Sequence, residues 1–245
     1  MKIYGLIGYP LSHSASPAFF NEKFRMLGIT DCKFELFPLS SIHLFPSLIS
    51  SIPNIIGLAV TIPHKVNVMD YLDELDETAS MVGAVNCIAL KDGIKKGYNT
   101  DVYGFQQSLR PLLQRYHKNA LILGNGGAAK AVAFVLDRLE MPYKKVVRNC
   151  QGNTELIEYN SLTAEIVAAH QLIINCTPLG MGHWHDHFPT IPYEGISGSH
   201  LLYDLVYQSE VTPFLAKGAI HGAQIKNGRE MLQLQAEKNW ELWNA

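Results

Sequence analysis

The residues of this chain with the types and spacing for chemistry fall into four short segments. The first is Gly124-Asn125-Gly126-Gly127-Ala128-Ala129, which follows the apolar run Ala120–Leu123 and opens a helical stretch from Ala128 to Leu139. A strand, a glycine turn and a helix N-terminus in that order form a site for a pyrophosphate. The glycines let the backbone turn tightly and approach the ligand, and the first N–H groups of the helix face its charge. The second is Lys65, just past another apolar run, in Val60-Thr61-Ile62-Pro63-His64-Lys65. Open α/β sheets place ligands at strand C-terminal ends, where a lysine either acts as general acid or base or is a solvated side chain on a helix's first turn. The third, Asn99-Thr100-Asp101, ends a further apolar stretch and puts a carboxylate where the two halves of the chain meet. The fourth holds Ser14 and Ser16 beside a helix start. Their hydroxyls either cradle an anion such as a carboxylate, at ~1.5–3 kcal/mol per hydrogen bond, or cap the helix.

The glycine loop points to a dinucleotide, and the end of the next strand says which one. Binders of NAD usually carry an acidic residue about 20 positions beyond the first glycine, on the ribose 2′-OH. Here that region is Lys144-Lys145-Val146-Val147-Arg148-Asn149, with no Asp or Glu. Arg148 stands where a 2′-phosphate would lie, and a guanidinium binds phosphate by paired hydrogen bonds. This favours NADP over NAD; the alternative is that Lys144, Lys145 and Arg148 form an ordinary solvated edge.

These segments require elements to position them. In the front half, Lys2–Gly8, Cys32–Phe37 and Ile55–Val60 read as strands, and Pro17–Leu27, Leu44–Ser51 and Lys65–Leu72 as helices. That alternation argues for βαβ units and a parallel sheet. Ser16 before Pro17 predicts an N-cap followed by proline at the first helical position. Asn86–Leu90 and Ile94–Tyr98, joined through Asp92-Gly93, predict a hairpin. Asp101–Tyr116 has helical spacing and is expected to bridge the halves. In the second half the strands are Ala120–Leu123, Lys145–Val147, Leu172–Asn175, Leu201–Leu205 and Gln224–Lys226. Gln151–Asn160 is polar and irregular, and Gly182–Gly195 reads as a loop. Arg229–Trp243 carries Met231, Leu234, Ala236, Trp240 and Trp243 roughly on one helical face.

A glycine loop near residue 120 leaves half of the 245 residues in front of it. The expected architecture is therefore α/β with two domains and a cleft between them. Residues 1–100 plus 229–245 form the substrate domain, and residues 101–228 form a Rossmann-type dinucleotide domain. Apolar residues at 47% supply ample core, and charged residues at 17% with a net charge of −2 give no sign of a nucleic-acid surface. No apolar run approaches the roughly 18 residues needed to span a bilayer, and Met1–Gly8 reads as a strand rather than a signal segment. Cys32, Cys87, Cys150 and Cys176 are widely spaced, which fits reduced thiols in the cytoplasm. His183, His185 and His187 lack a second ligand cluster, so no metal is expected.

Together these segments resemble shikimate dehydrogenases over nearly the whole chain. Ser14–Ser16 is similar to that family's serine motif, Gly57–Lys65 to its lysine motif and Tyr98–Asp101 to its aspartate motif. Asn175-Cys176-Thr177-Pro178-Leu179-Gly180-Met181 and the stretch from Asn227 to Gln235 are similar to its two late segments. The resemblance implies NADP-dependent interconversion of shikimate and 3-dehydroshikimate in chorismate and aromatic amino acid biosynthesis, by a monomer or homodimer. Ser14, Ser16 and Tyr207 would hold the substrate carboxylate, although Tyr207 also suits a core tyrosine. Lys65 and Asp101 would flank the reacting hydroxyl, and Thr61, Asn86 and Gln235 would orient the ring. Gly124, Gly126, Gly127 and Ala128 would take the pyrophosphate and Arg148 the 2′-phosphate, with Thr177, Gly228 and Met231 on the nicotinamide side. The chain departs from the family's pattern at Phe20, Ala59, Asn125 and Arg148-Asn149-Cys150. The competing readings are a quinate/shikimate dehydrogenase using NAD or both cofactors, a folate-linked or amino-acid dehydrogenase, and a catalytically silent dinucleotide-binding regulator.

Overall fold

The computed structural model describes residues 1–12 and 14–245. The chain divides into two compact units, Met1–Tyr103 with Gln235–Ala245, and Gly104–Leu234.

The first unit is built on strands β1 (Lys2–Gly8), β2 (Cys32–Pro38), β3 (Ile55–Val60), β4 (Glu74–Leu75), β5 (Cys87–Lys91) and β6 (Ile94–Tyr98), in the order β2-β1-β3-β5-β6-β4. β1 pairs in parallel with β2 and β3, whereas β5 runs antiparallel to β3 and β6. The sheet is therefore mixed rather than purely parallel. The β5–β6 turn is the expected Asp-Gly hairpin, with φ of 52° at Asp92 and 81° at Gly93, the paired positive values of a type I′ turn. Side chains alternate along β1. Ile3 and Ile7 join one core with Phe45, Leu58, Val60, Val68 and Ile88. Tyr4 and Leu6 join a second with Phe20, Phe24, Phe34 and Trp243. Helices α1 (Ser16–Met26), α2 (Phe45–Ser51) and α3 (Glu77–Val82) cover these faces. Phe20 and Phe24, one helical turn apart, form the buried stripe of α1.

The second unit is a six-stranded, wholly parallel sheet. Strands β7 (Ala120–Leu123), β8 (Tyr143–Val147), β9 (Leu156–Glu158), β10 (Leu172–Asn175), β11 (Leu201–Asp204) and β12 (Gln224–Lys226) lie in the order β12-β11-β10-β7-β8-β9. Counted within the unit this is 3-2-1-4-5-6, the doubly wound order in which strand direction of travel reverses between β7 and β10. Every residue of β7, β10 and β11 is buried, as a parallel sheet covered on both faces requires. Helices α5 (Gly127–Arg138), α6 (Ala164–Ala168) and α7 (Pro213–Ile220) accompany the strands. Helices α4 (Asp101–Leu109) and α8 (Arg229–Trp243) each contain a boundary between the units.

Four further sequence expectations need correction. Ser16 is not the N-cap of α1: Ala15 occupies that position with helical dihedrals, Phe19 N–H bonds its carbonyl at 3.1 Å, and Ser16 becomes the first helical residue. Lys65–Leu72 is not an α-helix but a 3₁₀ turn at Asn67–Tyr71. The Lys65 carbonyl accepts from Val85 N–H at 2.7 Å, so Met69 N–H bonds Val66 instead, one residue short of the α pattern. The bridging helix stops at Leu109 and tightens to 3₁₀ at Arg110–Leu112, because Pro111 has no N–H to continue the ladder. Gln151–Asn160 contains β9, whose Leu156 and Ile157 are half-buried beside β8.

Candidate active site

In the first unit the chemistry-bearing side chains converge on Asn86, the residue before β5. Its backbone is clamped on both sides, by Val60 N–H on its carbonyl at 2.8 Å and by its own N–H on Tyr98 at 3.1 Å. Its amide is oriented unambiguously. The Oδ1 atom accepts from Thr100 N–H at 2.6 Å, so Nδ2 faces Thr100 Oγ1 at 2.9 Å and Asp101 Oδ1 at 3.0 Å. It also approaches Gln235 Oε1 at 3.3 Å. The other oxygen of Asp101, Oδ2, meets Lys65 Nζ at 2.5 Å, the Lys65 side chain keeping 15% exposure and that of Asp101 7%. The amide and the ammonium thus hold the carboxylate from two directions, one donor per oxygen. A shielded, charge-assisted pair of this kind is shorter and stronger than a surface ion pair.

The turn that carries Lys65 is itself fixed. His64 is buried and bonds Leu39 O through Nε2 at 2.6 Å. Its N–H bonds Thr61 O at 3.0 Å, and the Thr61 N–H bonds Ile7 O at 2.9 Å. The Ser14 segment leaves the end of β1, beside the end of β3 from which Thr61 leaves. The two segments are in contact: Tyr9 N–H bonds Ile62 O at 2.9 Å, and a Cβ at Gly8 would lie 2.4 Å from Thr61 Cγ2. Glycine is required there by the approach of the two loops. Ser14 Oγ accepts from Ser16 N–H at 3.2 Å, so the serines sit as a pair at the start of α1. No described hydrogen bond joins them to Lys65 or Asp101.

In the second unit the glycine loop has the geometry of a phosphate cradle. Gly124 closes β7 with φ of +109°, a region that disfavours side chains, and its N–H bonds Val146 O at 2.8 Å. Gly126 is the N-cap of α5, whose first turn begins at Gly127 and Ala128, and it offers the first N–H groups no side-chain cap. Nothing lies within 4 Å of the position its Cβ would take. Arg148 is exposed immediately after β8. Uncapped helix N–H groups facing an open cradle, with a cation at the neighbouring strand end, fit a dinucleotide carrying a 2′-phosphate.

Thr177 is placed by a buried network that sequence reasoning missed. Thr177 N–H and Oγ1 both bond Asn175 Oδ1, at 3.0 and 2.6 Å. Asn175 Nδ2 bonds Asp204 Oδ1 at 2.9 Å, and Thr212 Oγ1 donates to Asp204 Oδ2 at 2.5 Å. Burial pushes the Asp204 carboxyl up to about 6, even though bonds from Thr212, Val206 N–H and Asn175 oppose the shift. Gly228 is required by packing, since a Cβ there would stand 2.2 Å from Leu205 O. Met231 is buried on α8, and Tyr207 is half-exposed just past β11.

A mixed first sheet with a lysine–carboxylate pair, in one chain with a doubly wound unit that carries a phosphate cradle, defines the class of two-unit dinucleotide-dependent oxidoreductases. Comparison with known proteins narrows the class. The family model for the shikimate dehydrogenase substrate binding domain matches residues 6–88. Shikimate dehydrogenase (NADP(+)) of Methanosphaera stadtmanae is 36% identical, over 99% of this chain and 91% of its own. The enzyme of the same name from Clostridium beijerinckii is 39% identical, over 99% of this chain and 92% of its own. The crystal structure of shikimate 5-dehydrogenase from Thermus thermophilus, in complex with NADP(H) and shikimate, has 28% identity. It superposes with a TM-score of 0.86, over 99% of this chain and 93% of that one. The chain belongs to the shikimate dehydrogenase family.

Proposed function

We propose that this protein catalyses the reversible NADP(H)-dependent reduction of 3-dehydroshikimate to shikimate, a step of chorismate biosynthesis, in the cytoplasm. The observation that carries the reading is the Lys65–Asp101 pair at 2.5 Å, tied to Asn86 and through it to Gln235. The four cysteines, none of them in a disulfide, fit a reducing compartment.

The residues of the first unit hold the ring acid. Ser14 and Ser16 bind its carboxylate, with Tyr207 as a further donor from the second unit. Thr61, Asn86 and Gln235 bind its hydroxyls. NADPH, when bound, supplies the hydride. Gly124, Gly126, Gly127 and Ala128 would hold its pyrophosphate, Arg148 its 2′-phosphate, and Thr177, Gly228 and Met231 its nicotinamide end. As the carbonyl oxygen gains charge, the Lys65 ammonium stabilises it and delivers a proton from Nζ. Asp101 Oδ2 keeps Lys65 in place, and a proton from solvent restores the Lys65 ammonium after the transfer. In the oxidative direction the same groups take the hydroxyl proton.

The test is shikimate-dependent reduction of NADP, followed by nicotinamide absorbance, with quinate and NAD in parallel. Rapid turnover with shikimate and NADP alone supports the reading. Comparable turnover with quinate or NAD would replace it by a broader quinate/shikimate dehydrogenase, and NADPH binding without turnover would leave a silent regulator.

A further inference from the structure

Asn239 carries no sequence signal of function, yet it is fully buried on α8, one helical turn after Gln235. Its surroundings determine the direction of every hydrogen bond around it. Thr100 Oγ1 has one proton and two acceptors, Asn239 Oδ1 at 2.6 Å and Asn86 Oδ1 at 3.2 Å. The shorter contact takes the proton, because Asn86 Oδ1 already receives Thr100 N–H at 2.6 Å. With Oδ1 committed to Thr100, Asn239 turns Nδ2 to Gln235 Oε1 at 3.3 Å. Gln235 Oε1 then receives donors from both Asn239 and Asn86. The four side chains close a ring in which Asn86 donates in both directions and Gln235 accepts from both sides.

We propose that Asn239 is a positioning residue that fixes the amide of Gln235 with its oxygen held in the ring, so that Gln235 meets the substrate as a hydrogen-bond donor through Nε2. The inference rests on the proposed function, in which Gln235 binds a ring hydroxyl. A buried amide with both ends satisfied has one low-energy orientation, because reversing it would set two donors against each other. Removing Asn239 takes away one of the two donors that hold the Gln235 oxygen, and the cost falls on substrate binding rather than on the Lys65 chemistry.

The experiment is a double-mutant cycle on the full chain at saturating NADP, with Asn239→Leu, Gln235→Ala and the pair. Asn239→Leu is expected to raise the KM for shikimate about tenfold while kcat and the KM for NADP change by less than about threefold. In the Gln235→Ala background the same substitution is expected to change the KM for shikimate hardly at all, since residues acting through one another are not additive. A purely structural Asn239 would lower the melting temperature and the active fraction, and its effect would add to that of Gln235→Ala. Additivity, or an unchanged KM in Asn239→Leu, would overturn the proposal while the unaltered chain still turns over shikimate. If Asn239→Leu does not fold, Thr100→Val cuts the same ring at its other link and is held to the same two outcomes. Absence of shikimate turnover in the unaltered chain would overturn the functional reading and this inference with it.

Discussion

At the scale of single residues, the two buried carboxylates of interest have opposite surroundings. Asp101 faces a cation and an amide donor, whereas Asp204 accepts from the neutral donors Asn175, Val206 and Thr212. Lys65→Ala removes the proposed proton carrier and leaves in place the amides assigned to the ring hydroxyls. It is expected to lower kcat by about 10²–10⁴-fold with a much smaller change in shikimate affinity, separable by steady-state kinetics and equilibrium binding. Unchanged turnover with weaker binding would take Lys65 out of the chemistry. Asp204 affects stability instead. Its carboxyl is raised from 3.8 to about 6 by burial, so the folded state prefers the protonated form. Its contribution is fully present below the unfolded value and is lost as pH rises through about 6, by ~2–3 kcal/mol at full expression. Asp204→Asn cannot ionise. The unfolding free energy of the parent, measured in urea from pH 4 to 8, should therefore fall relative to that of the variant as pH rises. A difference constant with pH would mean that Asp204 titrates at the same pH in the folded and unfolded chain.

At the scale of elements, the closest fit in the first unit is the end of α8 against β3. A Cβ at Gly57 would lie 2.3 Å from Trp243 Cδ1 and 2.4 Å from its Cγ. The indole cannot slide away without breaking the bond from its Nε1 to Ile88 O at 3.0 Å, and Tyr4 stacks on it with centroids 5.2 Å apart. Gly57→Ala is expected to destabilise the unit by ~1–3 kcal/mol through overpacking, lowering the urea midpoint followed by tryptophan fluorescence. An unchanged midpoint would show that α8 is free to shift. The bounds of α8, the glycine-turn-helix of β7–α5 and the Asp92-Gly93 hairpin were legible because their patterns are local: one apolar face, one phosphate loop, one pair of positive φ values. What stayed hidden depends on remote partners. Val85 reaches the Lys65 carbonyl and converts the expected helix to 3₁₀. Thr100 and Asn239 meet across 139 positions of sequence, and no periodicity encodes that meeting. β9 was obscured because two adjacent apolar residues, Leu156 and Ile157, are all the apolar run it offers within a polar stretch.

At the scale of the whole molecule, the proposed function divides the ligands, the Tyr207 contact to the substrate carboxylate excepted, between two units with separate cores. That division makes a prediction about which kinetic constants move together. Arg148 belongs to the second unit, at the exposed end of β8, and its one proposed contact is the 2′-phosphate, a group NAD lacks. Charge-assisted hydrogen bonds are worth ~1.5–3 kcal/mol, so Arg148→Gln is expected to raise the KM for NADP by about 10–100-fold. The KM for NAD should stay within about twofold, because the group that Arg148 is assigned to bind is absent from NAD. The KM for shikimate at saturating NADP should also hold, since its ligands are assigned to Lys65, Asp101, Asn86 and their neighbours. Parallel titrations of NADP, NAD and shikimate check all three constants. If NADP and NAD weaken together, Arg148 supports the loop rather than the phosphate. If the shikimate constant moves as strongly as that for NADP, the two ligands are not held by separable groups, and the division of labour between the units is wrong.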